Sequence, residues 1–180
     1  GQSLTLARDP REFYELDKSN AVLPIDCFDA PARQTVAHDA SKAKTFSNEG
    51  MAITLTSDFS KQSMDGYTVC YASKTAAVFA LHETNDQFAA AGLNDVTLEQ
   101  YAALVMQNNS SRNPVAGDDI NGCPTILYDF YNEDVEYRYL AVMYQADDGF
   151  WLVQFASAKD DFDTYEPSFV EAAKSVSFGA

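Results

Sequence analysis

Three apolar, aromatic runs near the end of the chain constrain its fold more than any other feature. They cover residues 125–131, 135–146 and 150–157, and two short acidic turns at 132–134 and 147–149 separate them. This spacing is typical of consecutive antiparallel strands joined by tight turns, a β-meander. We therefore expect the rest of the chain to pack on this sheet.

Both faces of the predicted meander are apolar. In the last run, Trp151, Val153 and Phe155 share one face, and Phe150 and Leu152 share the other. An antiparallel sheet with one face in water would alternate cleanly between apolar and polar residues. Cover is thus expected on both faces, and helices are the usual cover in a chain of mixed structure.

Two amphipathic helices are predicted to supply that cover. Thr97 and Gln100 have the spacing of a capping box, and the apolar positions that follow predict a helix over residues 98–109. A second apolar stripe runs from Phe162 to Val176. Because Pro167 is tolerated only in a first helical turn, the second helix is predicted to begin near Tyr165, spanning 165–176.

Two hairpins are predicted before the first helix. Residues 45–47 pair with 51–56 around Gly50, and residues 67–72 pair with 77–82 around 73–75. The stretches 57–66 and 83–96 are expected to be loops, with Gly92 as a breaker, and some strand content is expected near Val115. The prediction is an α+β fold with about six antiparallel strands flanked by helices.

The first 44 residues give weaker signals. A short helix could begin at Asp9, residues 21–28 could form an edge strand because they contain Pro24, and 30–44 is a polar connection. We expect an N-terminal extension over 1–44 and a single domain over 45–180. Gly1 in place of Met is typical of a trimmed expression tag, so a signal peptide or lipid anchor, if the protein has one, is expected to have been removed.

The net charge of −15 limits the partners of the chain. Residues 118–180 carry thirteen acidic and only three basic side chains. Such a field repels phosphate backbones and anionic lipid surfaces, so neither nucleic acid nor membrane lipid is expected as a partner. The charge serves solubility, or else it attracts cations or a basic partner.

Side chains that could carry chemistry are few. His82, followed by Glu83, could act as a general base with an orienting carboxylate, although an ordinary strand-end histidine has the same pattern. His38 lies in a polar connection. The sequence contains no GxSxG and no glycine-rich phosphate loop. We therefore predict no catalytic, cofactor-binding or metal-binding residues.

Acidic pairs and cysteines complete the candidates. The pairs 118–119, 133–134, 147–148 and 160–161 could offer oxygen ligands to Ca²⁺, but turn and helix-start preferences explain them without a metal. Cys27, Cys70 and Cys123 allow either one disulfide with one thiol or three buried thiols. Asn108 and Asn109 each begin a glycosylation sequon, which matters only in a eukaryotic secretory setting.

The order of the elements resembles a known family. The stretches FSNEGMAITLTSDF, YASKTAAVFALHE and NGCPTILYDFY, the meander that follows and the closing YEPSFVEAAKSVSF are similar to PsbP-like or DcrB-like domains, over about residues 45–178. The resemblance implies an α/β/α sandwich around an antiparallel sheet, often in bacterial envelope lipoproteins, and it brings no shared catalytic motif. NTF2-like and cystatin-like folds are the alternatives.

Two functional hypotheses from different classes follow. The first is an exported, non-enzymatic binding or accessory domain, secreted or anchored to the cell envelope, whose partner is a protein or a small molecule. The second is a hydrolase-type enzyme with a site around His82. A cleft that places His82 beside a nucleophile would favour the second.

Overall fold

The computed structural model describes residues 43–132 and 134–179. Its strands are β1 (Ala43–Asn48), β2 (Met51–Thr56), β3 (Ser60–Gln62), β4 (Val69–Ala72), β5 (Ala76–Thr84), β6 (Val115–Ala116), β7 (Thr125–Asn132), β8 (Val135–Ala146), β9 (Gly149–Ala158) and β10 (Ser177–Phe178). Its helices are α1 (Asn85–Ala90), α2 (Leu98–Asn108) and α3 (Lys159–Ser175), with a 3₁₀ turn at Ser110–Arg112.

Seven strands form the main sheet, in the order β3-β4-β5-β9-β8-β7-β6, with every neighbouring pair antiparallel. The three meander strands β7, β8 and β9 are adjacent in sequence order, as the turn spacing predicts. Strand β9 lies at the centre, and Trp151 on it is opposite both His82 of β5 and Tyr144 of β8. The early hairpin β4–β5 thus extends the meander into one sheet.

All ten residues of β9 are buried, so the sheet is covered on both faces. Trp151, Val153 and Phe155 belong to a core beneath α3 and the first hairpin. Phe150 and Leu152 belong to a second core beneath α1 and α2. The sandwich of cover, sheet and cover follows from the apolar character of both strand faces.

A second, smaller sheet forms part of one cover. Strands β1 and β2 form the predicted hairpin, but β2 pairs on its other side with the C-terminal strand β10, in the order β10-β2-β1, instead of joining the main sheet. Phe178 on β10 stacks on Trp151 with ring centroids 5.4 Å apart and meets the edge of Tyr144 at 5.5 Å. Aromatic packing therefore ties the small sheet to the main one.

Helices α1 and α2 each begin directly after a capping threonine in the sequence. Thr97 and Gln100 form the predicted capping box, and α2 ends at Asn108. The predicted loop at 83–96 was wrong, because Thr84 and Gln87 form a second capping box that starts α1. Only Phe88 of this six-residue helix is buried, so it has no apolar stripe to reveal it.

Three further predictions need correction. Helix α3 begins at Lys159, six residues before the predicted start, and Pro167 lies inside it. Phe162, Tyr165 and Phe169 are buried on both sides of that proline, so tertiary packing offsets the lost backbone hydrogen bond. The predicted loop at 57–66 contains β3, and the described residues form ten strands, seven of them in the main sheet, instead of about six.

Predictions for the N-terminal extension lie almost entirely outside the described residues. The helix from Asp9 and the edge strand at 21–28 fall there, and β1 already begins at Ala43. The boundary between an extension and a domain at residue 45 stays a prediction.

Replacing Trp151 with alanine tests the central packing. The indole is 2% exposed and lies between the His82 and Phe178 rings. We expect Trp151→Ala to lower the free energy of unfolding by about 3–5 kcal/mol, as for other large buried aromatics. Urea denaturation measures it, with Val115→Ala, at a residue that is 62% exposed, as the matched control. A loss below about 1 kcal/mol would contradict the packing described.

Candidate functional site

His82 lies at the end of β5 and contacts two residues from the meander. Its ring stacks on Trp151, with centroids 4.5 Å apart and planes 5° from parallel. Its Nε2 atom lies 3.0 Å from Oδ1 of Asp148. A histidine next to a carboxylate is the arrangement that general-base chemistry uses.

The turn between β8 and β9 places Asp148 at this point. The backbone N–H of Asn85 donates to the carbonyl of Asp148 at 2.8 Å, which fixes the turn against the start of α1. Gly149 has φ +154°, and a Cβ there would lie 2.2 Å from the Glu83 carbonyl oxygen. Only glycine permits this close approach, so Gly149 allows Asp148 to reach His82.

Glu83 does not orient His82, contrary to the sequence-based hypothesis. Neighbouring strand residues point to opposite faces, and Glu83 lies in the core beneath α2. There the Tyr101 hydroxyl donates to its Oε2 at 2.7 Å. The carboxylate beside His82 is that of Asp148, 66 residues further along the chain.

A depression of about 520 Å³ opens in front of His82. Its described lining is Glu49, Gly50, His82, Gln145, Ala146, Asp147, Asp148, Trp151, Phe178 and Gly179. No serine, threonine or cysteine occurs among these described residues, so none of them brings a hydroxyl or thiol nucleophile beside His82. The geometry fits a histidine that closes the edge of an aromatic core.

Other sequence candidates are dispersed by the fold. Among residues 43–132 and 134–179, no three His, Cys, Asp or Glu side chains come close enough to hold a metal ion. Cys70 packs in the core beneath α1 and α2, whereas Cys123 packs against the opposite core, so the sheet separates them. Asn109 is buried and bonded to Val105 and Arg112, which removes it as a glycosylation site. His38 and Cys27 lie outside the described residues.

A groove at the opposite edge of the main sheet is the second candidate. It has a volume of about 740 Å³, and its described lining is Ser111, Arg112, Asn113, Val115, Leu127, Tyr128, Asp129, Phe130, Tyr131, Glu136 and Arg138. Val115 is 62% exposed and Tyr131 is 64% exposed; they are the two large hydrophobic side chains that the described residues leave open to solvent. Sequence reasoning missed this groove.

Arg112 forms one wall of the groove. Its guanidinium lies 5.5 Å from the ring centre of Tyr128 and 5.2 Å from that of Phe130. Its Nη1 donates to Oδ1 of the buried Asn109 at 2.6 Å. Stacking and this hydrogen bond hold a fixed positive charge against the aromatic face of β7.

An ionic cluster forms the other wall. The Arg138 Nε donates to Asp129 Oδ1 at 2.8 Å and its Nη2 to Oδ2 at 3.2 Å, a bidentate pair. Lys159 reaches Asp129 at 3.0 Å and Glu136 at 3.4 Å. Hydrogen bonds from Arg138, and then from Lys159, hold the pKa of Asp129 below its usual value.

The lowered pKa of Asp129 gives a pH dependence of stability. Because the folded-state pKa lies below the unfolded value of about 3.9, this group stabilises the fold above about pH 4, and that stability is lost as the pH falls through the folded pKa. We expect Asp129→Asn to be less stable than the natural chain at pH 7 and to lose less stability on acidification. Urea melts between about pH 2.5 and 7 measure this. Asp147→Asn, at an exposed turn, is the control, and an unchanged pH slope in Asp129→Asn would contradict the pairing.

Because the acidic pairs are dispersed, we expect different divalent cations to change the melting temperature of the protein in the same way. Ca²⁺ needs six to eight oxygen ligands in a fixed geometry, and no three potential side-chain ligands converge in the described residues. Calcium and magnesium at matched ionic strength should therefore raise the melting temperature equally, by screening self-repulsion. Thermal melts decide, and a calcium-specific rise that saturates at micromolar concentration would reveal a dedicated site.

Comparison with known proteins identifies the fold. No family model and no curated protein sequence matches the chain. The cyanobacterial PsbP of Synechocystis sp. PCC 6803 superimposes with a TM-score of 0.54 at 13% identity, over 83% of this chain and 99% of that protein. Among the other matches is LpqN of Mycobacterium tuberculosis, described as involved in cell envelope biogenesis, with a TM-score of 0.48, 6% identity and coverage of 77% and 91%.

A protein from Bacteroides thetaiotaomicron also matches, with a TM-score of 0.48 and 12% identity, over 77% of this chain and 49% of that protein. At these identities the likeness concerns the fold alone. The PsbP match, over nearly the whole of that protein, confirms the α+β sandwich that the sequence predicts. The chain has a PsbP-like fold.

Proposed function

We propose that this chain is an extracytoplasmic, non-enzymatic accessory domain that binds a partner protein through the groove beside β7. The observation that carries the proposal is the position of Val115 and Tyr131. These two exposed large hydrophobic side chains of the described residues line the same groove. Exposed apolar groups gathered at one depression, with arginine and polar residues around them, are typical of protein-binding surfaces.

The composition of the groove favours a protein over a small molecule. Protein interfaces are enriched in tyrosine, phenylalanine and arginine, and the groove presents Phe130, Tyr131, Arg112 and Arg138. It is open and lies beside strand β7, whereas small-molecule sites are concave and enclose most of their ligand. A chain segment or a protein surface fits this shape better.

The local charge of the groove differs from that of the whole chain. Arg112, Arg138 and Lys159 lie around it, beside Asp129 and Glu136, in a chain whose net charge is −15. Because Arg138 and Lys159 are paired with Asp129 and Glu136, the groove presents a patch of mixed charge on an otherwise acidic surface. Opposite charges at such a patch orient an approaching partner and raise its association rate.

An accessory role rather than catalysis agrees with the His82 region. His82 has an orienting carboxylate but no hydroxyl or thiol nucleophile in the described lining of its depression. The resemblance to PsbP-like domains brings no shared catalytic motif, and the sequence resemblance to envelope proteins supports a location outside the cytoplasm. None of the described helices combines the length and the apolar character needed to cross a membrane.

Photo-crosslinking in cells that naturally produce the protein tests the proposal. A photoreactive phenylalanine replaces Tyr131 in one strain and the exposed Gln107 of α2 in a control strain. We expect one discrete adduct from position 131, absent at position 107 and weakened when Val115→Ser is added, because the groove contacts the partner. Mass spectrometry identifies the adduct, and fractionation locates the protein.

Two outcomes would contradict the proposal. Equal adduct patterns from positions 131 and 107 would show that the groove is an ordinary surface. Recovery of the protein in the cytoplasmic fraction would remove the extracytoplasmic location while leaving the binding surface to be judged by the adducts.

A further inference from the structure

Strand β6 leaves most of the neighbouring β7 edge uncovered. Val115 and Ala116 pair with Leu127 and Ile126, and the pairing goes no further toward Asn132. The residue before Val115 is Pro114, which has no backbone N–H, and Asn113 before it has the left-handed φ of 53°. Both residues turn the chain away from the sheet, so β6 stops after two residues.

The hydrogen bonds at the start of β7 show which backbone groups face this edge. The Gly117 N–H donates to the Thr125 carbonyl at 3.1 Å, toward β6, and the Met143 N–H donates to the Pro124 carbonyl at 3.0 Å, toward β8. Successive residues of a strand alternate between the two sides. Asp129 and Tyr131 therefore direct their N–H and C=O groups outward, past the end of β6.

No described residue pairs with the outward backbone groups of Asp129 and Tyr131. Both residues line the groove, together with Asn113 and Val115 at the point where β6 stops. Residues 128–132 span roughly 17 Å at the rise of an extended strand. The groove is thus shaped as a slot for about five residues of extended chain.

The two walls of the slot differ in chemistry. Tyr128 and Phe130 point to the α2 side, where the Arg112 guanidinium lies over their rings. Tyr131 points to the other side, as does Val115, which is in register with Leu127. A segment lying along β7 would place alternate side chains beside the arginine and beside these two exposed apolar groups.

Resting on the proposed function, we propose that β7 binds an extended segment of the partner protein as an added strand of the main sheet. The segment carries acidic side chains on the Arg112 face and aliphatic side chains on the Tyr131 and Val115 face. Main-chain hydrogen bonds to Asp129 and Tyr131 give affinity, and the alternation of side chains gives specificity. Charge complementarity with Arg112 selects an acidic segment although the whole chain is acidic.

A panel of synthetic peptides tests this binding mode with the full chain. The probe is a fluorescent, N-acetylated, C-amidated octapeptide that alternates valine and glutamate, and anisotropy measures its binding. We expect saturable binding, weakened by about tenfold when N-methyl groups are placed on one alternate set of residues and little changed when the other set carries them. Only one set directs its N–H groups to β7, so the two equally methylated peptides are matched controls.

Variants of the chain locate the site. Arg112→Gln should weaken binding of the glutamate peptide by about two- to fivefold, as expected for an exposed charge pair. It should leave unchanged the binding of a peptide in which glutamine replaces glutamate. Lys174→Gln, which removes one positive charge on α3 away from the groove, is its control. Tyr131→Pro removes an outward N–H that no described strand uses and should weaken binding more than Tyr131→Ser. Circular dichroism melts check that each variant folds.

Three results would overturn the added strand. The first is an equal loss of affinity with both methylated peptides, and the second is no saturable binding at millimolar peptide. The third is a salt-dependent dimer in sedimentation that Tyr131→Ser abolishes, because a second copy of the chain would then occupy the groove. If any of these accompanies a discrete adduct from position 131, the partner binds the groove in another way and the proposed function stands. Absence of the adduct ends the proposed function itself.

Discussion

The burial of β9 on both faces is the constraint on which the rest of the structure depends. All ten of its residues are buried, and its two sets of alternating side chains face different cores. A strand of this kind is stable only if two separate layers exclude water from it. Helices α1 and α2 form one layer, and α3 with the small sheet forms the other. The position of every site residue follows from this sandwich.

Local signals predicted the parts of the fold that depend on neighbouring residues. Turn residues and apolar runs located the meander, and the Thr97–Gln100 capping box located α2. The small sheet was not predictable in this way, because β10 pairs with β2 across most of the chain and only tertiary packing selects that partner. The same competition misplaced the start of α3, where buried Phe162 and Tyr165 outweigh the cost of Pro167.

The sites show a similar limit. His82 was recognisable by residue type, but its carboxylate partner Asp148 is distant in sequence, and strand alternation turns the adjacent Glu83 to the opposite face. The alternation itself could be predicted from the sequence, and it means that a residue adjacent to a histidine on a strand cannot orient that histidine. The groove could be anticipated only from Asn113 and Pro114, which stop β6, since nothing in the sequence shows that Arg112 lies over Tyr128 and Phe130.

An open strand edge is normally a liability, because it can pair with another copy of the same chain. The outer strand β3 is short and has Lys61 at its centre, a common protection of an edge. Beyond Leu127, strand β7 is paired with no further strand among the described residues, yet each copy has a net charge of −15, so two copies repel at any distance within a Debye length. This repulsion keeps copies apart but leaves the edge accessible to a short segment. Such a segment carries few charges, and these lie close to Arg112, so it is repelled less than a second acidic domain would be. Net charge and an uncovered edge together favour a partner segment over self-association.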